Sequence, residues 1–458
     1  MHYVPHTEAD KRAMLAMIGA PSVDALFEAC IPSDCRHAKL LDVEPALTED
    51  GILRELRALA AKNVSAADKP AFLGAGLYRH FCPALVDNLQ QRTEFWTAYT
   101  PYQPEASQGT LTTIFEWQTM MCRLTGLQVS NASLYDGATS MTEAVLMALR
   151  VKEQERRTVV VASKGLHPDW RGTLSTYLRT LNMPLVEVEL TDGATDPASF
   201  AAALTARKID PLRVAAVAVQ TPNFFGVIED VKALAEAAHA LGALCIVGAN
   251  PVALSLVEAP GRQGADMVCG EASSMGNKPW FGGPGVGYLS SRMDFVRQMP
   301  ARIAGETRDA QGRRAFVLTF ATREQHIRRA KATSNICTSQ QLMALRATIW
   351  MSLLGKEGFH ELGRTNLSRA HYAAERIKVI PGWKLTWPRR GFFNEFTVTC
   401  PVPAAKVNQV LLKKHGILGG LDLGRVDKSL AHQWLLAVTD LNPREEIDRL
   451  VTALETIR

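Results

Sequence analysis

The sequence lacks the features that typify membrane, secreted and zinc-binding proteins. No apolar run approaches the roughly 20 residues that a bilayer-spanning helix needs. The polar opening MHYVPHTEADKR has no signal-peptide core, so we expect no targeting segment and no membrane partner. None of the 8 cysteines lies in a Cys-x-x-Cys motif or a His/Cys cluster, so no metal site is predicted. Scattered, reduced thiols of this kind favour a cytoplasmic protein.

A large excess of charge of one sign is also missing. The chain has 51 Lys and Arg against 46 Asp and Glu, a net charge of +5 over 458 residues. This balance suits an anionic ligand or an acidic partner and does not favour nucleic acid as a partner. Hydrophobic residues make up 47% of the chain, which is enough for a large core, and the length predicts two or three domains.

The hydrophobic pattern divides the chain into three regions. Residues 1–70 predict an N-terminal helical arm, with helices that start after Ser22 and Thr48. Residues 71–315 alternate short apolar strands with helices, which predicts a large α/β domain with a mostly parallel sheet. Residues 316–458 predict a helical connection over 316–375 and a small C-terminal α/β domain. The predicted strands of the large domain are 158–162, 185–190, 214–219, 243–247, 266–269 and 286–289, and its predicted helices are 138–155, 171–180, 196–206 and 229–241.

Two motifs in the large domain are typical of ligand-binding loops. SLYDGATSMTEA turns at Gly137 directly into a helix, whose free N–H groups suit a phosphate. The alternative is an ordinary helix start that Thr139 or Ser140 caps. VVASKGLHPDWRGTL follows a strand, where His167 is placed to stack on a cofactor ring or simply to lie on the surface.

The stretch GADMVCGEASSMGNKPWFGGPG has the pattern of the lysine loop of a fold-type I pyridoxal-phosphate (PLP) enzyme. Ser274 stands where such a loop presents its lysine. The preceding strand, LCIVGAN, has Val247 where these enzymes carry the aspartate that keeps the ring nitrogen protonated. Lys278 is near, but a surface position on a turn explains it better. The sequence therefore predicts a degenerate PLP site.

A basic stretch, TREQHIRRAKATSNICTSQQLMAL, begins at residue 322. If it is helical, Arg328 and Lys331 share one face, while His326 and Arg329 lie on a rotated one. Because it has no interleaved aromatic residues, we expect it to bind a carboxylate, a phosphate or an acidic partner surface rather than nucleic acid. A solvated helix is the alternative.

Several long strings resemble one known family over nearly the whole chain. They are YVPHTEAD, FLGAGLYRHF, YTPYQPEASQGTL, NASLYDGATSMTEA, GGPGVGYLSSR and TREQHIRRAKATSNICTSQ. The chain thereby resembles the first subunit of the two-subunit bacterial glycine dehydrogenases (decarboxylating), the P-protein of the glycine cleavage system. The resemblance implies a fold-type I PLP-transferase-like fold and a role in glycine catabolism.

The resemblance also implies partners and cofactors. A second subunit, glycine dehydrogenase subunit 2, carries the PLP, and two copies of each subunit form an α2β2 heterotetramer. Glycine loses CO2 on the partner's PLP, and the aminomethyl group passes to the lipoate of the H-protein. This chain binds no PLP covalently and completes the partner's site. The side chains that we expect it to contribute are Tyr99, Tyr102, Glu105, Arg323, His326, Lys331, Thr333 and Asn335.

The stretch YTPYQPEASQGT holds three of these side chains, and the alternative is a structural loop whose tyrosines cap the sheet. Pro101 and Pro104 stiffen it, and its tyrosines and acid are spaced three apart. By resemblance, the tyrosines hold the carboxylate of glycine, and Glu105 positions the amine or the lipoyl sulfur. Two other hypotheses stay open on the residues alone: a self-sufficient PLP enzyme that uses Lys278, and a scaffold without catalytic activity.

Overall fold

The computed structural model describes residues 5–36, 41–96 and 99–457 and divides into two compact units, Met1–Val64 and Ser65–Arg458. The first unit holds the helices α1 (Glu8–Ile18), α2 (Val23–Cys30) and α3 (Glu49–Ala60). Ser22 and Thr48 cap α2 and α3, since each hydroxyl accepts a backbone N–H three residues on. Both helix starts predicted from the sequence are confirmed. Among the described residues no single helix is long and apolar enough to cross a bilayer, although α1 and α2, bent by 41°, meet that test together.

The second unit contains an α/β domain and a smaller C-terminal sheet. Its helices are α4 (Ala84–Gln90), α5 (Gln108–Thr125), α6 (Gly137–Val151), α7 (Pro168–Thr180), α8 (Ser199–Ala206), α9 (Val231–Ala240), α10 (Gln325–Arg328), α11 (Gln341–Lys378), α12 (Ala404–Val410) and α13 (Arg444–Glu455). Its strands are β1 (Val129–Ser130), β2 (Val159–Ser163), β3 (Leu185–Val188), β4 (Leu190–Thr191), β5 (Ala194–Thr195), β6 (Val214–Thr221), β7 (Leu244–Ala249), β8 (Met267–Glu271), β9 (Gly287–Ser291), β10 (Ile303–Arg308), β11 (Arg314–Thr319), β12 (Lys384–Leu385), β13 (Glu395–Thr399), β14 (Leu421–Asp422) and β15 (Gln433–Ala437).

The main sheet has the strand order β1-β9-β8-β7-β6-β2-β3 among the described residues. The strands β3, β2, β6, β7 and β8 run parallel, whereas β9 near one edge is antiparallel to both of its neighbours, β8 and β1. The central strands are apolar runs because helices cover both faces of the sheet. α6 and α7 pack on one face, and α5, α9 and α11 pack on the other. The predicted parallel sheet is confirmed, and its carboxyl ends meet along one edge.

The helix α5 was not among the predicted helices, although its sequence carries the signal. Leu111, Ile114, Trp117 and Met121 are all buried and recur at helical spacing. The helix α11 is interrupted at Gly355, whose φ of 61° and ψ of −173° are not helical.

The prediction of a mainly helical region over 316–375 is wrong for its first part. β10 and β11 form an antiparallel hairpin that lies across the predicted domain boundary at 315/316. In the basic stretch that follows, the α-helix α10 ends at Arg328, because Arg329 adopts a positive φ of 52°, and a short 3₁₀ turn (Arg329–Lys331) comes next. The residues of this stretch therefore do not form the continuous helix face that their propensities favour, and the contacts described below override those propensities.

The small C-terminal sheet has the order β12-β13-β15-β14, and α12 and α13 complete this α/β unit as predicted. A segment of residues 71–81, here called the tether, connects this sheet to the main domain. Its Phe72 N–H donates to Leu418 O, and Ala75 N–H and the Tyr78 hydroxyl donate to the Glu395 carboxylate at 2.6 and 2.7 Å. The string FLGAGLYRHF therefore has a structural role between the two parts of this unit.

Candidate functional site

The positions that the sequence marks as degenerate lie in one central strand of the main sheet and just after its neighbour. Val247 is wholly buried in β7, in register with Val219 of β6 and Val268 of β8. Ser274 follows β8 and is 6% exposed. Lys278 is turned elsewhere, since its Nζ lies 3.0 Å from Asp87. We call the region between the start of α6 and the ends of β7 and β8 the cleft.

The N-terminus of α6 opens onto this cleft. Its N-cap is Asp136, whose carboxylate accepts the Thr139 N–H at 2.7 Å, while the Thr139 hydroxyl accepts the Asp136 N–H. The alternative of an ordinary helix start is thus realised with a different cap from Thr139 or Ser140, because the extended Asp136 comes first and completes a capping box with Thr139. The N–H of Gly137, the first helical residue, points to a different carboxylate.

That carboxylate belongs to Glu271, the last residue of β8. One oxygen accepts the Gly137 N–H at 3.0 Å, and the other accepts the N–H groups of Ser273 and Val286 at 2.8 and 2.9 Å. Burial raises the pKa of Glu271 above its ordinary value, and these N–H donors oppose that rise. An acidic side chain of this protein thus takes the N–H groups that a phosphate would use.

The second group in the cleft is the indole of Trp170, on α7. A methyl group on Gly137 would lie 2.3 Å from Trp170 Cζ2, and one on Gly248 would lie 2.9 Å from Cζ3. The indole therefore lies against both the start of α6 and the end of β7. His167 stacks on it, with ring centroids 6.0 Å apart and an interplanar angle of 27°. His167 thus contacts two aromatic rings of this chain, since the Phe224 ring also meets it edge-on at 4.9 Å.

A second group of side chains gathers outside the cleft, and we call it the Tyr102 cluster: Tyr102, Arg302, Glu324 and His326. The Tyr102 hydroxyl accepts from Arg302 Nη2 at 2.7 Å and donates to Glu324 Oε2 at 3.2 Å. Arg302 and Glu324 also form an ion pair at 3.4 Å. His326 Nδ1 lies 3.7 Å from Glu324, and the His326 ring meets the Tyr102 ring edge-on.

The remaining predicted contributors lie near this cluster in sequence, but the structure gives them different surroundings. Arg323 is buried, and its guanidinium donates to the carbonyls of Met299, Ala301 and Phe320, with burial lowering its pKa to about 10. Thr333 N–H donates to Arg323 O at 3.2 Å. The side chains of the other four candidates are exposed: Tyr99, Glu105, Lys331 and Asn335.

Sequence reasoning missed Arg302, Glu324, Trp170 and Glu271. Trp170, Glu271 and Glu324 stand inside motifs that the sequence presents, but no pattern there shows which group they contact. Arg302 lies outside every motif. Its role is evident only in the structure, where Arg302, just before β10, lies next to Tyr102.

A family model described as "Glycine cleavage system P-protein" matches residues 1–454. The chain belongs to this P-protein family. It is 47% identical over 456 residues to a probable glycine dehydrogenase (decarboxylating) subunit 1 of Brevibacillus brevis, covering 99% of this chain and 98% of that protein. It is 44% identical to the corresponding subunit 1 of Desulfitobacterium hafniense, over the full length of both.

Solved structures agree on the fold. A crystal structure of glycine decarboxylase (P-protein) of the glycine cleavage system, in inhibitor-bound form, matches with a TM-score of 0.88 at 40% identity and covers 99% of both chains. The sphingosine-1-phosphate lyase of Burkholderia pseudomallei matches with a TM-score of 0.64 at 14% identity over 93% of both chains, which supports the fold alone. The predicted fold-type I PLP-transferase-like class is confirmed.

The residues of the cleft do not fit the PLP that this fold implies. Ser274 cannot form the imine bond that a lysine makes, and Val247 cannot hold a proton on a ring nitrogen. Trp170 and Glu271 both pack against Gly137 and fill the space at the start of α6. Within the described residues, no group of three or more His, Cys, Asp and Glu side chains offers a metal site.

Proposed function

We propose that this chain is the subunit of glycine decarboxylase that carries no PLP. With a second, PLP-bearing subunit, glycine dehydrogenase subunit 2, it decarboxylates glycine and transfers the aminomethyl group to the lipoyl group of the H-protein. The main support for this proposal is that the chain belongs to the P-protein family but lacks the residues with which a fold-type I enzyme binds PLP. The chain keeps the fold and sequence of glycine-decarboxylating relatives, yet its own cleft has neither a lysine at 274 nor an acid at 247.

A partner needs a surface on which to dock, and the second unit presents aromatic side chains to solvent. We call Trp96, Tyr99, Trp280 and Phe281 the aromatic face; Phe281 is 100% exposed, and Tyr99 is 78% exposed. Contacts through α4 and α11 hold its members near one another. Trp96 Nε1 donates to Gln90 O at 2.7 Å, and the Arg346 guanidinium, which bonds to Gln90 Oε1, lies over Trp280.

Contiguous exposed apolar patches mark interaction sites on proteins, and the cores of protein–protein interfaces are enriched in aromatic residues. We therefore assign the aromatic face to the contact with the PLP-bearing subunit. Two copies of this pair form an α2β2 heterotetramer in the cytoplasm.

The Tyr102 cluster supplies the groups that this chain adds to the partner's site. Arg302 and Glu324 fix the Tyr102 hydroxyl from both sides, so its ring is preoriented rather than mobile. Glu105 and Lys331 are exposed and remain able to contact a substrate or the lipoyl arm. A zwitterion such as glycine requires both a cation and an acceptor, and this region presents both.

Mixing the subunits tests the proposal. The purified chain alone is expected to show no exchange of bicarbonate into the carboxyl group of glycine and no borohydride-reducible PLP band. Adding a PLP-bearing second subunit should produce exchange, and the two proteins should elute together. Exchange by this chain alone, with a pyridoxyl group on Lys278, would support the self-sufficient enzyme instead. Exchange by the second subunit at full rate without this chain would leave a scaffold role.

A further inference from the structure

The start of α6 is a place where this fold can bind an anion, and the chain places its own anion there. Backbone N–H groups at a helix start carry a partial positive charge. Here the Glu271 carboxylate accepts from Gly137 on the helix and from Ser273 and Val286 on the adjoining loop. Its Oε2 lies so close to Gly285 that a methyl group there would be 3.1 Å away.

The neighbouring space is filled in a way that does not depend on Glu271. Trp170 reaches in from α7, and its indole edge requires glycine at both 137 and 248. His167 stacks on the indole, and His167 Nε2 donates to Ala75 O of the tether at 3.0 Å. Gly137 of α6, Gly248 of β7 and, through His167, the tether thus hold the indole ring next to the Glu271 carboxylate.

We propose that Glu271 and Trp170 together form an internal substitute for a phosphorylated aromatic cofactor, with the carboxylate in the role of the phosphate and the indole in the role of the ring. This inference goes beyond the proposed function, since it concerns how the chain's own cleft is held closed and not what the partner does. It predicts that the chain keeps its fold without any ligand and that the anion position reopens when Glu271 is removed.

Glu271→Ala tests the carboxylate directly. The full-length variant should melt at a lower temperature than the unmodified chain. Inorganic phosphate should then raise its melting temperature in a saturable way, by about 3 °C at about 100 times its Kd. The unmodified chain should show no such saturable rise when sodium chloride of equal ionic strength serves as the reference.

Glu229→Ala is the matched control. Glu229 is also a buried carboxylate, and it accepts from Thr195 N–H and from Asn223 Nδ2 away from the cleft. Its variant should lose stability without gaining a phosphate response. An equal saturable response in both variants, or none in Glu271→Ala, overturns the proposal.

A measurement on the unmodified chain covers the case in which Glu271→Ala does not fold. Isothermal titration with pyridoxal 5′-phosphate should detect no saturable site, because Trp170 and Glu271 already occupy it. Stoichiometric, saturable binding that protects Trp170 from oxidation shows that the side chains yield to a ligand and overturns the proposal. This outcome is distinct from failure of the proposed function, which depends on exchange activity with the second subunit.

Discussion

The cleft and the Tyr102 cluster use similar residue types in opposite ways. In the cleft, the Glu271 carboxylate is bound to backbone N–H groups, and the Trp170 ring packs between two glycines. Around the Tyr102 cluster, the side chains of Tyr99 and Glu105 are exposed and His326 is more than half exposed. The polar groups of the cleft are bonded within the chain, whereas those around the Tyr102 cluster remain available to another molecule.

From this difference we infer that the two regions serve different purposes. A side chain that is fully bonded and packed contributes to folding, while an exposed acid or phenol that a neighbour holds in place can act on a substrate. We therefore expect substitutions in the cleft to change the free energy of unfolding and substitutions at the cluster to change turnover. The predictions below test that division, from the largest expected effect to the smallest.

Trp170→Ala should lower the free energy of unfolding by about 3 kcal/mol, because it leaves a cavity between α6 and β7. Urea unfolding of the full chain measures the loss. Trp280→Ala, on the aromatic face, is the matched control and should change stability by less than about 0.5 kcal/mol while weakening association with the second subunit. Equal losses of stability in the two variants would remove the distinction between cleft and surface.

The tether that supports His167 should make stability depend on pH. Burial raises the pKa of Glu395 to about 7 from an ordinary 4.5, and its carboxyl group is bonded to Ala75 and Tyr78. The folded state therefore prefers the protonated form, so this stabilisation is complete below pH 4.5 and is lost as the pH rises through 7. The loss between about pH 5 and 8 should be about 2.5 kcal/mol.

Unfolding measured across that pH range should show this slope, and Glu395→Gln should flatten it. Glu306→Gln, which removes a carboxylate from the exposed hairpin strand β10, should leave the slope unchanged. If the Glu395→Gln variant keeps the full dependence of unfolding on pH, another group is responsible for it.

In the stretch that contains Tyr102, either Tyr102→Phe or Glu105→Gln should lower turnover of the assembled enzyme at least tenfold, or roughly 1.4 kcal/mol of barrier. Tyr102→Phe removes the hydroxyl that bonds to Arg302 and Glu324, and Glu105→Gln removes an exposed charge. Glycine–bicarbonate exchange measures the effect, with PLP content and subunit association unchanged. Tyr177→Phe, which alters a half-exposed tyrosine on α7, is the control with normal exchange. Loss of assembly at unchanged intrinsic activity would instead assign the stretch a structural role.

The smallest effect is expected from Ser274→Lys. A lysine at this position alone should give no exchange activity and no pyridoxyl adduct by mass spectrometry after borohydride reduction. The reasons are that Val247 supplies no acid and that Trp170 and Glu271 fill the cleft. A stable adduct on this lysine would show that the cleft is more open than its contacts imply.

The sequence alone was sufficient for features that depend on local pattern or on residue identity. The apolar runs of β2, β6 and β7 predict buried parallel strands because such strands are covered on both faces. The serine at 274 and the valine at 247 indicate a degenerate PLP site because no conformation lets them do the work of lysine and aspartate. The long quoted strings identified the family, and the match over residues 1–454 confirms it.

Only the tertiary structure decided what occupies the cleft and what holds Tyr102. Gly137 and Glu271 are 134 residues apart in the chain, and Tyr102 and Arg302 are 200 apart. Local propensity carries no information about such pairs. For the stretch after residue 322 it favours a continuous helix, which is excluded by the hydrogen bonds of the buried Arg323 and by the backbone conformation of Arg329. The Glu271 carboxylate reaches the N-terminus of α6, and the Trp170 indole packs between two glycines, only because the folded sheet places β7 and β8 beside α6.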